Sequence, residues 1–348
     1  MKVAILADNN TMQFEAKEIA EAFLKAEHQA ELVNVDDQPV ATLQAIRPDI
    51  CCIASGTKGS NGALQELCEL LQLPYLGSQP EACKLCTDDQ ISMFAMQRYA
   101  EASEVDVIGD SLVSFTFSSD ALTAEKEILV RLCEERIPGG YPFEVKPLKG
   151  FACERNKNLQ SSSDSQNEDI QSTGNIQNAA SEMANNAQHR KTQPSSAETI
   201  LVNSSEELLA ALTAFELSGC KVAQWVEGAR LSVVVLGTGW NAHVLPPVEE
   251  VPAGDSLELI SPVRLKSLHA ADRMAQSIRS EIERFAFEAC LSLGVRDFAI
   301  VHVVWDGAQV RFAGVDTAPS MAASSVFAQA CKAVSLSIEG VLDFLVSL

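Results

Sequence analysis

The chain has 348 residues, of which 47% are apolar, and a formal net charge of −21. This length and apolar content predict two or three domains with sizeable cores. So acidic a chain cannot hold a nucleic-acid backbone by bulk electrostatics, and no apolar run approaches the ~20 residues that a membrane span needs. We therefore expect neither nucleic acid nor a membrane as a partner.

The N-terminal apolar run is short and meets Asp8 at once, which predicts a first strand rather than a secretory signal. Ten cysteines without an export signal predict free thiols and a cytoplasmic location. Cys83 and Cys86 have C-x-x-C spacing, but the sequence has no second pair and no nearby His. We interpret them as two thiols on one helix face rather than as metal ligands.

The first 85 residues alternate between strand and helix patterns. The run Asp49-Ile-Cys-Cys-Ile-Ala54 is continuously apolar, as in a strand that is covered on both faces. This pattern predicts an open parallel sheet with crossover helices, and such sheets bind ligands beyond the carboxyl ends of their strands. The predicted strands are 3–7, 30–35, 49–54 and 74–77, and the predicted helices are 11–26 and 62–71.

The middle of the chain contains a break in composition. Helices are predicted at about 88–102 and 121–135, and a strand at 143–147. Residues 154–196 then contain no Phe, Trp or Tyr. Such a segment buries too little apolar area to offset the entropy of ordering it, so we predict a disordered insertion at 154–198. Order resumes with a strand at 199–202 and a helix that begins at Ser204, whose spacing to Glu207 is that of a capping box.

The C-terminal part is predicted to contain strands at 221–226 and 231–237, an amphipathic helix at 272–293, a hairpin, and helices near 324–334 and 338–345. The hairpin has strands at 298–305 and 309–316, joined by Asp306-Gly307, because Asp-Gly between two β-rich runs is a strong turn signal. Asp316 ends the second strand shortly before Pro319, which suggests a metal or phosphate site. The facing positions, however, carry Ile300, His302 and Gly314 rather than a set of acids and bases.

Three stretches, in the right order, resemble the D-alanine–D-alanine ligases of the ATP-grasp superfamily. They are the loop, helix and strand at 56–78, Gly140-Tyr-Pro-Phe-Glu-Val-Lys-Pro147, and the hairpin region 293–319. The resemblance implies an α/β (α+β ATP-grasp) fold with an N-terminal open parallel-sheet domain at 1–87. A central ATP-grasp subdomain at 88–226, which contains the insertion, and a C-terminal one at 227–348 would follow.

The same resemblance implies an activity and its partners. The family joins two D-alanines for peptidoglycan synthesis: ATP phosphorylates one carboxylate, and the amine of the second amino acid attacks the acyl phosphate. Two divalent cations, usually Mg²⁺, neutralise the phosphates. By this resemblance the partners would be a nucleotide and a D-amino acid, with homodimers as the common assembly.

Several residues keep family positions. Lys146 matches the lysine that binds the α-phosphate and adenine, although an exposed strand-end lysine is the alternative reading. Gln224 and Trp225 stand at the hinge that binds adenine, and Trp225 is suited to packing against a base. Asp316 stands at a metal-ligand position and supplies oxygen ligands, which Mg²⁺ prefers.

Other positions depart from the family in ways that weaken its chemistry. His302 replaces a metal-binding Asp, Ile300 an Arg that stabilises the transferring charge, and Gly314 a metal-bridging Glu. Asp89 replaces a lysine that approaches the phosphates, so we expect it to repel a triphosphate. For His302 a hydrogen-bonded core histidine is preferred over a metal ligand.

Arg230 matches no family role and is predicted to be a solvated side chain. Two functional hypotheses remain open. The chain is either an ATP-dependent ligase with an altered site, or a catalytically impaired ATP-grasp relative that acts as a binding or regulatory protein.

Overall fold

A computed structural model describes residues 1–9, 14–54, 57–103, 110–123, 125–148, 199–217, 219–252, 259–260, 263–267 and 276–347. The predicted insertion at 154–198 lies outside the described residues. The strands form sheets of four, five and seven strands. Among the described helices, none combines the length and the apolar character needed to cross a bilayer.

The N-terminal sheet is open and parallel, with the strand order β2-β1-β3-β4. Cys51 and Cys52 are fully buried in its third strand, as expected for a strand covered on both faces. The predicted open parallel sheet is therefore confirmed. Its strands are β1 (Lys2–Ala7), β2 (Gln29–Asn34), β3 (Ile50–Ile53) and β4 (Tyr75–Leu76), and the helices of this part are α1 (Glu15–Lys25), α2 (Pro39–Ile46), α3 (Thr57–Ser60), α4 (Ala63–Leu70) and α5 (Pro80–Cys86).

The central sheet has five strands and packs one face against helices α7, α8 and α9, which are Ser119–Leu122, Lys126–Arg136 and Ser205–Ala214. Its order is β13-β8-β7-β9-β6. The strands are β6 (Ser114–Phe117), β7 (Phe143–Pro147), β8 (Thr199–Val202), β9 (Cys220–Gln224) and β13 (Leu259–Ile260), and helix α6 (Asp89–Ser103) precedes them.

Two local predictions in this part had different outcomes. The single helix predicted near 121–135 is wrong, because a short helix capped by Ser118 ends before α8 begins. The cap predicted at Ser204 is confirmed: its hydroxyl accepts the Glu207 N–H at 3.2 Å. The Glu207 carboxylate accepts the N–H of Asn203, at 2.7 Å, so both side chains satisfy backbone donors at the helix start.

The C-terminal sheet has seven strands in the order β14-β12-β10-β15-β16-β5, with β11 also pairing with β10. The predicted hairpin is confirmed as β15 and β16, with a register irregularity after His302. The strands are β5 (Asp110–Ser111), β10 (Ala229–Leu236), β11 (His243–Val244), β12 (Val248–Pro252), β14 (Val263–Ser267), β15 (Phe298–Trp305) and β16 (Val310–Asp316), and the helices are α10 (Gln276–Ser292), α11 (Val326–Ala333) and α12 (Ile338–Ser347).

The two faces of the hairpin have different neighbours. Ala299, Val301 and Val303 point to one face and pack in a core with the apolar side of α10. The alternate residues point to the other face, where Phe298 and Ile300 share a core with residues of the N-terminal sheet and of α11. This alternation follows from the two-residue period of a strand.

The residue before the hairpin, Asp297, links the N-terminal and C-terminal sheets. It has a φ of +65°, a left-handed conformation that is uncommon for residues other than Gly. Its carboxylate accepts the N–H of Gly77 at 2.8 Å, and its carbonyl accepts the N–H of Gly237 at 2.7 Å. The Arg296 side chain adds a bond to the Gly77 carbonyl, so the end of β4 is held against the start of β15.

Candidate functional site

Strand alternation places charged side chains on the inner face of the central sheet. Phe143 and Val145 of β7 are fully buried in the helix-covered core. Glu144 and Lys146 therefore point to the opposite face. On the neighbouring strand β9, Ala223 pairs with Glu144 and Lys221 pairs with Lys146.

The C-terminal sheet presents a matching face. Ser232 of β10, His302 of β15 and Gly314 of β16 lie side by side in the strand register. Arg230 lies two residues before Ser232 on the same face, and Glu250 reaches Ser232 from β12. We call the region between these two faces the intersheet cleft. Asp89, at the start of α6, also belongs to it. The other residues of the cleft are Glu144, Lys146, Lys221, Arg230, Ser232, Glu250, His302 and Gly314.

Glu144 is the centre of the intersheet cleft. It is 3% exposed, and its carboxylate lies 3.1 Å from Lys146 Nζ and 3.4 Å from Arg230 Nη1. Burial alone would raise the pKa of Glu144, but the charges of Lys146 and Arg230 lower this pKa below its ordinary value. An ion pair thus joins the two sheets at a buried position.

Arg230 is not the solvated side chain that the sequence predicted. Its side chain is 14% exposed, and its guanidinium lies 4.2 Å from the centre of the Trp225 ring. The Nη2 atom of Arg230 is buried and has no hydrogen-bond partner among the residues that the structure describes. The prediction was wrong because it took a charged side chain beside a loop to be exposed, whereas Glu144 and Trp225 supply a buried acid and an aromatic face.

A second polar group lies deeper on the C-terminal sheet. The Ser232 hydroxyl donates to Glu250 Oε1 at 2.6 Å and lies 2.8 Å from His302 Nδ1. Because this hydroxyl has one proton and gives it to Glu250, Nδ1 of His302 carries the hydrogen of its own bond to Ser232. Burial would raise the pKa of Glu250, but His302, the Ser232 hydrogen bond and nearby cations lower it. His302 is half-buried and hydrogen-bonded, as predicted.

Asp89 has a role that the sequence interpretation missed. It is 6% exposed, is ion-paired with Lys221, and accepts a hydrogen bond from the Ser114 hydroxyl at 3.2 Å. Its charge is therefore compensated inside the protein. The expected repulsion of a triphosphate by Asp89 overlooked this partner, which is distant in sequence.

Gly314 makes room for Asp89. Its φ is +129°, and a Cβ at this position would lie 2.8 Å from Asp89 Oδ1. Real Cβ atoms essentially never come this close to another heavy atom, and Asp89 is held in place by Lys221. Position 314 therefore has no room for a side chain while Asp89 keeps this place.

The hairpin does not supply a good magnesium site. Ile300 is 4% exposed in the core shared with the N-terminal sheet, and Gly314 has no side chain. Asp316 is 7% exposed, and its Oδ1 accepts the N–H of Ala318 at 3.2 Å. Mg²⁺ requires several oxygen ligands in octahedral geometry, which one carboxylate and the His302 imidazole do not provide. Within the described ranges, no group of three or more His, Cys, Asp and Glu side chains is arranged to hold a metal.

The space between the two sheets is small. The cavity lined by Asp89, Leu112, Glu144, Lys146, Lys221, Ala223 and Ala313 has a volume of about 20 Å³. This is room for one water molecule, whereas pockets that hold a small-molecule ligand measure about 300–1,000 Å³. A cavity of about 820 Å³ lies elsewhere, beside β4 and the end of α12. This cavity, as the described residues line it, has no room for a nucleotide.

The residues selected from the sequence are brought together only in part. Lys146 faces the cleft and is 44% exposed, and Trp225 reaches it through Arg230. Gln224 is half-buried at the end of β9, where its N–H donates to the Val113 carbonyl at 2.8 Å. Asp316 lies farther along the hairpin face, near Cys83 of α5.

Glu144 and Glu250 were missed as members of the site. For Glu144 the signal was present, because an acid between Phe143 and Val145 must share a face with Lys146. For Glu250 the sequence offered no such indication.

Comparisons with known proteins agree with this architecture. No family model matches the chain. A D-alanine–D-alanine ligase from Halalkalibacterium halodurans is 23% identical, with all of this chain and 99% of that protein covered. A D-alanine–D-alanine ligase from Bordetella petrii is 24% identical, with 95% of this chain and 85% of that protein covered.

Solved structures share the fold at lower identity. A D-alanine–D-alanine ligase from Bacillus anthracis complexed with ATP superposes with a TM-score of 0.65 at 14% identity, covering all of this chain and 96% of the other. The VanG D-Ala:D-Ser ligase from Enterococcus faecalis gives a TM-score of 0.63 at 15% identity, covering all of this chain and 98% of the other. The fold is therefore that of the ATP-grasp proteins. Together with the relatives that match along nearly the whole chain, it supports a divergent relationship to the D-alanine–D-alanine ligases at low identity.

Proposed function

We propose that this chain is a non-catalytic member of the D-alanine–D-alanine ligase family, which uses the ATP-grasp fold for binding or regulation rather than for peptide-bond synthesis. The observation that carries the proposal is the contact between Gly314 and Asp89. A side chain at 314, where the family resemblance implies a metal-bridging Glu, would collide with the Asp89 carboxylate.

The charge balance of the reaction supports the same proposal. Formation of an acyl phosphate from ATP needs cations that neutralise the transferring phosphoryl group, and such electrostatic stabilisation is usually the largest catalytic contribution. Here Lys146 is ion-paired with Glu144, Lys221 with Asp89, and Arg230 with Glu144. Each of these cations is thus paired with a carboxylate of the protein, and Lys146 and Arg230 share Glu144.

An altered but active ligase is the second candidate. Two observations favour it: Lys146 faces the cleft, as the family resemblance implies, and the curated relatives that cover the whole chain are D-alanine–D-alanine ligases. Under this alternative the chain binds ATP and a D-amino acid, with Mg²⁺ held mainly by the substrate phosphates. The buried free thiols among the described cysteines support a reducing, cytoplasmic setting under either candidate.

Phosphate release tests the choice between the two candidates. Purified protein is incubated with ATP, Mg²⁺ and D-alanine, and phosphate is measured beside a known D-alanine–D-alanine ligase. The non-catalytic proposal expects no release above the protein-free background. Release that depends on D-alanine and is abolished in Lys146→Ala would overturn it and establish the active ligase.

A further inference from the structure

An open groove lies outside the intersheet cleft, where the edge of the N-terminal sheet, the turn between β10 and β11, and the end of α12 meet. Its volume is about 820 Å³, within the range of about 300–1,000 Å³ that is usual for small-molecule sites. It shares no residue with the intersheet cleft. The lining of the groove is partly apolar, with Leu73 and Phe344, and partly charged, with Glu69, Arg296 and Asp297.

Tyr75 of β4 contacts one cation and one anion of the groove at separate points. The Arg296 guanidinium lies 5.3 Å from the centre of the Tyr75 ring, and the Tyr75 hydroxyl donates to Glu69 Oε1 at 2.8 Å. Within the described residues, the ion-pair partner of Arg296 is Asp297, at 3.7 Å from Nε, and not Glu69. The groove therefore presents a positive and a negative group that contact the same aromatic side chain without pairing with each other.

Both of these charged groups keep atoms that a ligand can reach. The Arg296 side chain is 34% exposed, and only its Nε is used by the fold, in a bond to the Gly77 carbonyl at 3.2 Å. Its two terminal nitrogens have no hydrogen-bond partner in the described part of the chain. Glu69 is exposed and accepts the Tyr75 hydroxyl through one oxygen. The oxygens of Asp297 are used differently, because they accept the Gly77 N–H at 2.8 Å and a hydroxyl of the β10–β11 turn at 3.4 Å.

We propose that this groove binds a free α-amino acid with a large apolar side chain. The ligand carboxylate pairs with the terminal nitrogens of Arg296, its ammonium group pairs with Glu69, and its side chain packs on the apolar lining around Leu73 and Phe344. A simple anion would be repelled by Glu69 and Asp297, and a simple cation by Arg296, so the lining favours a ligand that carries both charges. The inference goes beyond the proposed function and does not rest on it.

Calorimetric titration with L-leucine and its analogues tests this pattern of groups. Isocaproate lacks the ammonium group and isoamylamine lacks the carboxylate, and each should bind at least tenfold more weakly than L-leucine. Glycine should also bind at least tenfold more weakly, because each buried methylene contributes about fourfold in affinity. Hydrogen exchange measured by mass spectrometry gives the location, and L-leucine should slow exchange in residues 69–76 and 344–347.

A variant and a matched control on the same helix assign the ammonium contact. Glu69→Gln removes the charge but keeps an oxygen that accepts the Tyr75 hydroxyl, and it should weaken L-leucine binding at least fivefold. Glu66→Gln lies one helical turn earlier, where the carboxylate pairs with Lys84 outside the groove, and it should leave binding unchanged. Arg296→Gln should weaken binding at least tenfold. Glu69→Gln remains the deciding variant, because Arg296 also supports the fold.

Several results would overturn the proposal. They are the absence of a calorimetric signal with millimolar L-leucine, equal binding of L-leucine and isocaproate, and equal losses in Glu66→Gln and Glu69→Gln. A dimer in light scattering, with residues 69–76 and 344–347 already protected from exchange without a ligand, would also overturn it, because a second copy of the chain then covers the groove. None of these measurements depends on phosphate release, so the proposed function stands or falls separately.

Discussion

The two faces of the β15–β16 hairpin differ in what they contact. On one face Val301, Val303 and Phe312 pack against α10 in a closed apolar core. On the other face lie Ile300, His302 and Gly314, the positions at which the sequence departs from the family pattern. Because alternate residues of a strand point to opposite faces, a substitution on one face does not change the side chains of the other. The packing face therefore supports the fold independently of the side chains on the cleft face.

The largest expected effect lies on the packing face. Phe312→Ala removes a fully buried ring that packs beside Phe285, and large-to-small core changes of this kind cost about 3–5 kcal/mol. Urea unfolding monitored by circular dichroism measures the loss. Phe344→Ala, at a ring that is 47% exposed, is the control and should cost far less. Equal losses would show that the core of the C-terminal sheet is not its main support.

Loss of one partner of the cleft ion pair should come next. Glu144→Gln leaves Arg230 buried without its acid, and a broken buried pair costs about 3–5 kcal/mol, reduced here because Lys146 is partly exposed to water. The free energy of unfolding is compared with that of Glu101→Gln, whose pair with Arg98 is largely exposed and worth well under about 1 kcal/mol. If Glu144→Gln lowers the free energy of unfolding by no more than Glu101→Gln does, the Glu144 carboxylate is not an important link between the two sheets.

Gly314 tests the contrast between the two faces of the hairpin, because it lies on the cleft face. Gly314→Ala should destabilise the protein by about 2–4 kcal/mol, since the new Cβ displaces Asp89 and φ is positive. Gly307→Ala carries the same kind of backbone strain, at a φ of +96°, with nothing within 4 Å, and should cost about 1–2 kcal/mol. Thermal unfolding of both variants separates the effect of the contact with Asp89 from the effect of backbone strain. A Gly314→Ala loss no larger than that of Gly307→Ala would mean that Asp89 moves aside freely.

The smallest effect is a pH dependence of stability. The pKa values of Glu144 and Glu250 are both lowered from 4.5, so the folded protein binds fewer protons than the unfolded chain in the acid range. Their contribution is complete above about pH 4.5 and is lost as the pH falls through the folded pKa values, with a slope of about 1.4 kcal/mol per pH unit for each proton. Urea midpoints between pH 3 and 7 should show a shallower slope in Glu144→Leu/Arg230→Leu than in the wild type. Identical slopes would exclude Glu144 as a source of the acid lability.

Local signals in the sequence predicted much of the fold. The hairpin was predictable because Asp306-Gly307 sets the turn and alternation sets the faces. Lys146 was predicted at the end of a strand and lies there in β7, while its contact with a nucleotide stays a prediction. The division of one predicted helix into α7 and α8 was missed, because the cap at Ser118 is a weak signal within a helix-favouring stretch.

The cleft was less predictable because its pairs are long-range. Arg230 contacts Glu144 only because the two sheets face each other, and Lys221 contacts Asp89 although the two residues are 132 positions apart in the sequence. A comparison of single positions with the family pattern therefore considered each residue without the partner that it contacts in the fold. The structure shows residues that depend on each other, such as Gly314 and Asp89, where the absence of a side chain at 314 leaves room for the Asp89 carboxylate.

Asp297 has a consequence for how the molecule moves. Because its carboxylate and the Arg296 side chain hold Gly77, the N-terminal and C-terminal sheets are coupled at the start of the hairpin. The core that these sheets share strengthens the coupling. We therefore expect a motion that widens the cleft to displace the central sheet relative to the other two sheets, which stay together.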